Sequence, residues 1–169
     1  MRLIPRLLVF GCVLASASSA TAQSKFTGKC SQGKPNPNHV IPVADRANHA
    51  MILGQVTCTW SSGEIAGVAL KEEIDTVVSD MTGTTSRDRG YGVGSTANGD
   101  KYYVRFEGTT TYKGETPTAG TCNWTFYGGT GKMSGLTGKG TCTGTFDATG
   151  GAVFDVVGTY SIPATPKTK

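Results

Sequence analysis

Turn chemistry interrupts this chain so often that no long helix fits between the interruptions. Ser61-Ser62-Gly63, Ala97-Asn98-Gly99-Asp100 and Asp147-Ala148-Thr149-Gly150-Gly151 are breaker clusters. The Asn-Gly pair in the second is the strongest short hairpin signal. The residues between them do not favour helix either. The chain has 24 glycines and 7 prolines in 169 residues, about 18% against an ordinary ~12%, and 25 threonines. Glycine and threonine are both poor helix formers. The pattern predicts short strands joined by tight turns, an all-β chain.

Eight strand segments follow from the punctuation: Phe26–Cys30, His49–Trp60, Glu64–Asp80, Thr82–Gly92, Lys101–Lys113, Gly120–Tyr127, Gly138–Phe146 and Val153–Ile162. Nearly every link is short, so the strands form an antiparallel meander that can hide its edges by closing into an eight-stranded barrel. Residues 31–48 carry Pro35, Pro37 and Pro42 and read as an irregular Pro-rich loop. The barrel domain is expected over 23–162, with 163–169 as a disordered tail.

The first 22 residues read as a signal peptide. Arg2 and Arg6 precede an apolar run from Leu7 to Leu14, and Ala20-Thr21-Ala22 is an A-x-A cleavage site. That run is too short to span a bilayer, and no later one is longer, so no stable membrane insertion is expected. The protein is expected to be exported, to a bacterial periplasm or the extracellular medium. Cleavage removes Arg2, Arg6 and Cys12, taking the net charge from +4 to +2. That is a weak basis for a nucleic-acid partner, which needs a basic stripe. Four cysteines remain, enough for two disulfides in an exported domain.

The most distinctive stretch is Tyr127-Gly-Gly-Thr-Gly-Lys-Met-Ser-Gly-Leu-Thr-Gly-Lys-Gly-Thr141. Its glycines suit a sharp connection between two strands, with Lys132 and Met133 forming one helical turn. It resembles the G-G-T-G-K-[FM]-x-G-x-x-G segment of the allene oxide cyclase and dirigent-like β-barrels, and of exported bacterial proteins with paired cysteines. The resemblance implies an eight-stranded antiparallel barrel around a hydrophobic cavity, often in a homo-trimer. It transfers no catalytic residue, because the superfamily's members isomerise, cyclise, demethylate or steer radical coupling with different residues.

If the sixth and seventh segments pair about Lys132, Cys122 stands opposite Cys142, which opposed antiparallel strands can bridge. Cys30 and Cys58 then remain to close the Pro-rich loop. A shifted register would instead cross all four cysteines.

Strand alternation supplies the candidate site residues. In the third segment the even positions Val68, Leu70, Glu72, Ile74, Thr76 and Val78 share one face, apolar except for Glu72. A carboxyl on an apolar face is a candidate acid, with its pKa raised by desolvation. In the fifth segment Tyr103, Arg105 and Glu107 form a polar strip opposite Tyr102, Val104 and Phe106. If interior, the strip could orient a ligand carbonyl or carboxylate; if exterior, it is an ordinary solvated face. Trp60 is a second candidate for the cavity wall, with core packing the plainer reading. No metal site is expected: His39 and His49 stand alone, and no H-E-x-x-H or C-x-x-C spacing occurs. No cofactor is expected either, since the G-x-G-x-x-A letters at Gly92–Ala97 lack a strand–helix context.

Three functions stay open. The barrel binds a small hydrophobic or aromatic ligand; or it is a cofactor-free isomerase, cyclase or demethylase-like enzyme using an interior acid; or it is a structural barrel with a filled core. An open cavity holding an acid separates these readings.

Overall fold

A computed structural model describes residues 23–163. The expected signal peptide and residues 164–169 of the expected tail lie outside them. The described residues form ten strands and one 3₁₀ turn: β1 Ser24–Gln32, β2 Asn38–Pro42, β3 His49–Ser62, β4 Glu64–Ile65, β5 Val68–Thr82, β6 Thr85–Thr96, β7 Lys101–Lys113, β8 Thr116–Gly129, the turn Gly131–Met133, β9 Thr137–Phe146 and β10 Ala152–Ser161. Eight of these strands close into an antiparallel barrel, with β2 and β4 as accessories. Closure is made by β3, which pairs with β1 on one side and β5 on the other.

The Pro-rich segment is more ordered than the sequence suggests. Its middle forms β2, paired with Ala50–Gly54 of β3 along one edge only. Prolines are tolerated on such an edge strand, where half the backbone groups need no ladder partner. The expected third strand is also shorter than its segment. Ala66 and Gly67 both have positive φ, 52° and 73°, and make the turn between β4 and β5.

The largest departure from simple alternation is a bulge near the start of β5. Leu70 pairs with Thr96, but Gly94 pairs with Glu73, so Lys71 and Glu72 share the space of one residue. An extra residue in one strand reverses the facing of everything after it. Leu70 points inward; beyond the bulge Glu73 and Asp75 do. Ile74 is turned out and is 51% exposed.

Interior glycines make room for large neighbours. On β6 the inward positions include Gly90, Gly92 and Gly94. A Cβ at Gly94 would fall within the Tyr102 ring, and one at Gly92 would meet the Asp75 and Glu73 carboxylates. Trp124 similarly lies across Gly140 and Gly158. Small barrels alternate small and large inner residues for this reason. The glycine excess therefore serves strand faces as well as turns.

The two barrel ends differ. At one end Ile65, Tyr102, Met133 and Leu136 are each 0% exposed. Met133 and Leu136 come from the glycine-rich connection, which folds under the barrel as its floor. Asp100 anchors it by accepting the Lys132 backbone N–H at 2.9 Å. Above the floor Phe26 packs edge-on against Trp124 at 5.5 Å and Phe126 at 5.7 Å. Each such buried ring contributes roughly 1.5–3 kcal/mol. The other end is open, bordered by Lys34–Pro35, Glu115–Pro117 and Ala148–Gly150.

Two cysteine pairs staple this frame at disulfide distance. Cys122 lies directly opposite Cys142 on β8 and β9, with Cα atoms 4.9 Å apart. Cys30 and Cys58 are diagonal neighbours on β1 and β3, with Cα atoms 5.7 Å apart.

Candidate functional site

From the open end a cavity of about 900 Å³ runs into the barrel. Phe26, Trp60, Phe106, Trp124, Phe126 and Phe154 give it aromatic walls, and Val56, Val77 and Val156 add aliphatic surface. The barrel is therefore packed at its floor, around Phe26, Trp124 and Phe126, and open toward its other end.

Glu73 and Asp75 of β5 line the deep part of this cavity. They are two residues apart on a strand, so both project from the same face. Glu73 is 8% exposed and Asp75 4%. Glu73 Oε1 and Asp75 Oδ1 both sit over Gly92, where any side chain would displace them. Gln32 Nε2 donates to Asp75 Oδ2 at 3.3 Å. Asp75 Oδ1, the Tyr102 hydroxyl and Trp60 Nε1 are buried with no hydrogen-bond partner. The Tyr102 hydroxyl faces Glu73 without meeting hydrogen-bond geometry.

Burial sets the electrostatics of the pair. Loss of water raises the Glu73 carboxyl above its usual range, only partly offset by Tyr102 and Asp75. Asp75 is pushed well above its usual range, by desolvation first and by the Glu73 charge second. Desolvation and the same carboxylates push the Tyr102 phenol well up. Two close carboxyls in such a place hold a proton between them to higher pH than a free carboxyl does, because both cannot ionise cheaply.

Another cavity-lining carboxylate has a donor on each oxygen. Asp88 of β6 accepts Ser86 Oγ–H at 2.8 Å on one oxygen and Thr110 Oγ1–H at 2.7 Å on the other. Tyr112 stands 3.5 Å from Ser86, and burial raises its phenol.

The expected site residues fall on both sides of the wall. Trp60 lines the cavity. Glu72 does not, because the bulge turns it to the exposed outer face. The expected interior acid is thus corrected by one residue, from Glu72 to Glu73, with Asp75 added. Tyr103, Arg105 and Glu107 also lie on the outer face of β7, and no cavity-lining residue is among them. Tyr103 packs outside against Tyr127 at 5.9 Å. His39 is exposed on β2. His49 is held between Asp45 and Asp80, with Nε2 3.1 Å from Asp80 Oδ1. That contact with His49 keeps the Asp45 carboxyl below its usual range. Among the described residues no cluster could hold a metal ion.

No family model matches this chain, and no curated protein matches it. Among solved structures, one similar chain is the pterocarpan synthase dirigent protein GePTS1. The alignment has a TM-score of 0.47 and 11% identity, and covers 91% of this chain and 100% of that one. The barrel described here rests on its own strand pairing. No helix among the described residues is long and apolar enough to cross a membrane, and the paired cysteines fit an oxidising compartment.

Proposed function

We propose that this exported barrel binds a small, largely aromatic or apolar molecule in its cavity. The single observation behind the reading is an open, aromatic-walled cavity of about 900 Å³, within the range of small-molecule sites. Its few polar groups converge at the deep end, where they would fix a ligand's orientation. The body of the ligand would pack against the half-buried Trp60, Phe106 and Phe154.

The neutral apolar probe N-phenyl-1-naphthylamine tests this directly. One equivalent should bind and quench tryptophan emission, since Trp60 and Trp124 line the wall. Val77→Trp fills the cavity from β5 and should weaken binding by about tenfold or more. Equal binding by wild type and Val77→Trp would place the probe elsewhere and sink the reading.

A second reading is a cofactor-free isomerase or cyclase. It is favoured by one observation, the Glu73 carboxyl raised by burial inside the cavity. A carboxyl whose proton is held more tightly than usual can donate it to a bound carbonyl or ether oxygen. Once a substrate is known, Glu73→Gln should remove its turnover while leaving the binding of a neutral ligand.

A further inference from the structure

We propose that the deep end of the cavity selects ligands that carry a protonated amine on an aromatic or apolar body. This rests on the cavity-binding reading above and narrows its ligand class.

Two buried carboxylates lack a countercharge. Around them β1 presents the Gln32 amide, β3 the Trp60 indole, β6 only Gly92 and Gly94, and β7 Tyr102 and Val104. None of these groups is cationic. The cavity-lining residues include four carboxylates, on Glu73, Asp75, Asp88 and Glu115, and one basic side chain, Lys34 at the mouth. The chain as a whole is net positive at +4, so the acidity is local to the cavity. Asp88 is occupied by two hydroxyl donors. The pair with no donor beyond Gln32 and the proton it shares is therefore deeper, at Asp75 and the neighbouring Glu73.

An ammonium group satisfies that set. It has three N–H donors and no acceptor, which suits carboxylate oxygens grouped above Gly92. Charge-assisted hydrogen bonds of this kind are about twice as strong as neutral ones. Aromatic walls add attraction for a cation as well as packing for the apolar body. A neutral alcohol offers one donor and no charge. A carboxylate ligand would meet like charge in a poorly screened site.

Binding also has a proton signature. The free pair retains a proton because its carboxyls are raised by burial and by each other. An entering cation favours the doubly ionised pair and expels that proton. Affinity for the amine should therefore rise with pH through the range in which the free pair gives up its proton.

Calorimetric titration of the mature chain with 2-naphthylmethylamine, 2-naphthylmethanol and 2-naphthoate tests this. The amine should bind about tenfold or more tighter than the alcohol at pH 7.5, with proton release visible between buffers of different ionisation enthalpy. The naphthoate should bind weakest. The double variant Glu73→Gln, Asp75→Asn should lose the amine preference and keep the alcohol affinity, which also reports that it is folded. Equal binding of amine and alcohol by wild type would overturn the proposal while leaving the cavity reading standing. An amine preference that survives in the double variant would overturn it too. Failure of all three compounds to bind would remove both readings.

Discussion

The cavity contains two sets of buried or half-buried carboxylates that differ in how they are served. Asp88 has a hydroxyl donor on each oxygen, from Ser86 on its own strand and Thr110 on the neighbouring one. Glu73 and Asp75 have one long bond from Gln32, a tyrosine hydroxyl out of hydrogen-bond geometry, and otherwise only the proton they share. Folding has no use for a buried carboxyl pair with so few donors, which costs stability. A served carboxylate is part of the frame. The difference separates a structural acid from a candidate functional pair within one cavity, and mutation should show it as effects of opposite sign.

The largest effect is expected at Asp88. Asp88→Ala leaves the Ser86 and Thr110 hydroxyls without their acceptor. Hydrogen bonds to a charged group are worth about 1.5–3 kcal/mol, so the variant should lose about 2–3 kcal/mol in urea unfolding. Binding of a neutral apolar probe should change little. A variant as stable as wild type would show that the two sets do not differ in kind.

Asp75→Asn should move stability the other way. An amide removes the charge, can still accept from Gln32, and can donate to Glu73. Relief of an unserved buried group is worth about 1–3 kcal/mol, so a gain of about 1–2 kcal/mol is expected at pH 7. Gains of this size with loss of function are the usual trade-off at sites built for binding or chemistry. A loss of stability would mean that the aspartate is better served than its contacts suggest.

The pH dependence of that gain sharpens the contrast. Glu73 and Asp75 have folded-state pKa values above their unfolded ones. Below the unfolded pKa, near pH 4, both states are protonated and no penalty exists. As pH rises from there through the folded pKa values, the unfolded chain ionises first and folding loses stability. The penalty is then constant at higher pH. The stability of Asp75→Asn minus that of wild type should therefore be near zero well below about pH 4 and should grow as pH rises until the folded pair has ionised. Subtraction cancels the opposite, acid-side behaviour of Asp45 and Asp147, whose pKa values are lowered. A difference that is flat with pH would contradict the burial of the acid.

These contrasts bear on what could be read from the residues alone. Turn chemistry located the strands well, because Asn-Gly and the glycine clusters act locally. The pairing of Cys122 with Cys142 was legible because their connection is symmetric about Lys132. The facing of β5 was not. Ile74, Thr76 and Val78 continue the apolar period of Val68 and Leu70, so the pattern reads as one unbroken face. The outer wall is itself partly apolar, with Tyr91 at 63% exposure and Val157 at 50%, so polarity could not tell inside from outside. Two signals did point to the answer. Three successive polar residues, Lys71-Glu72-Glu73, cannot alternate and so mark a register change. Gly90, Gly92 and Gly94 leave one side of β6 bare, which requires large side chains from its neighbours to fill that space.

The smallest expected effect tests that register. Glu72 sits in the bulge on the outer face, its backbone carbonyl accepting from Ser95 Oγ at 3.2 Å. Its side chain makes no hydrogen bond or ion pair among the described residues. Glu72→Gln should change stability by less than about 0.5 kcal/mol, as exposed substitutions do, and should leave probe binding unchanged. The same change at Glu73 should raise stability and alter ligand preference. The two substitutions are chemically identical and one residue apart, so composition and local propensity cannot distinguish their outcomes. Only the extra residue between Leu70 and Glu73 can. If Glu72→Gln gave the larger effect, β5 would be unbulged, and the acid pair would face solvent rather than the cavity.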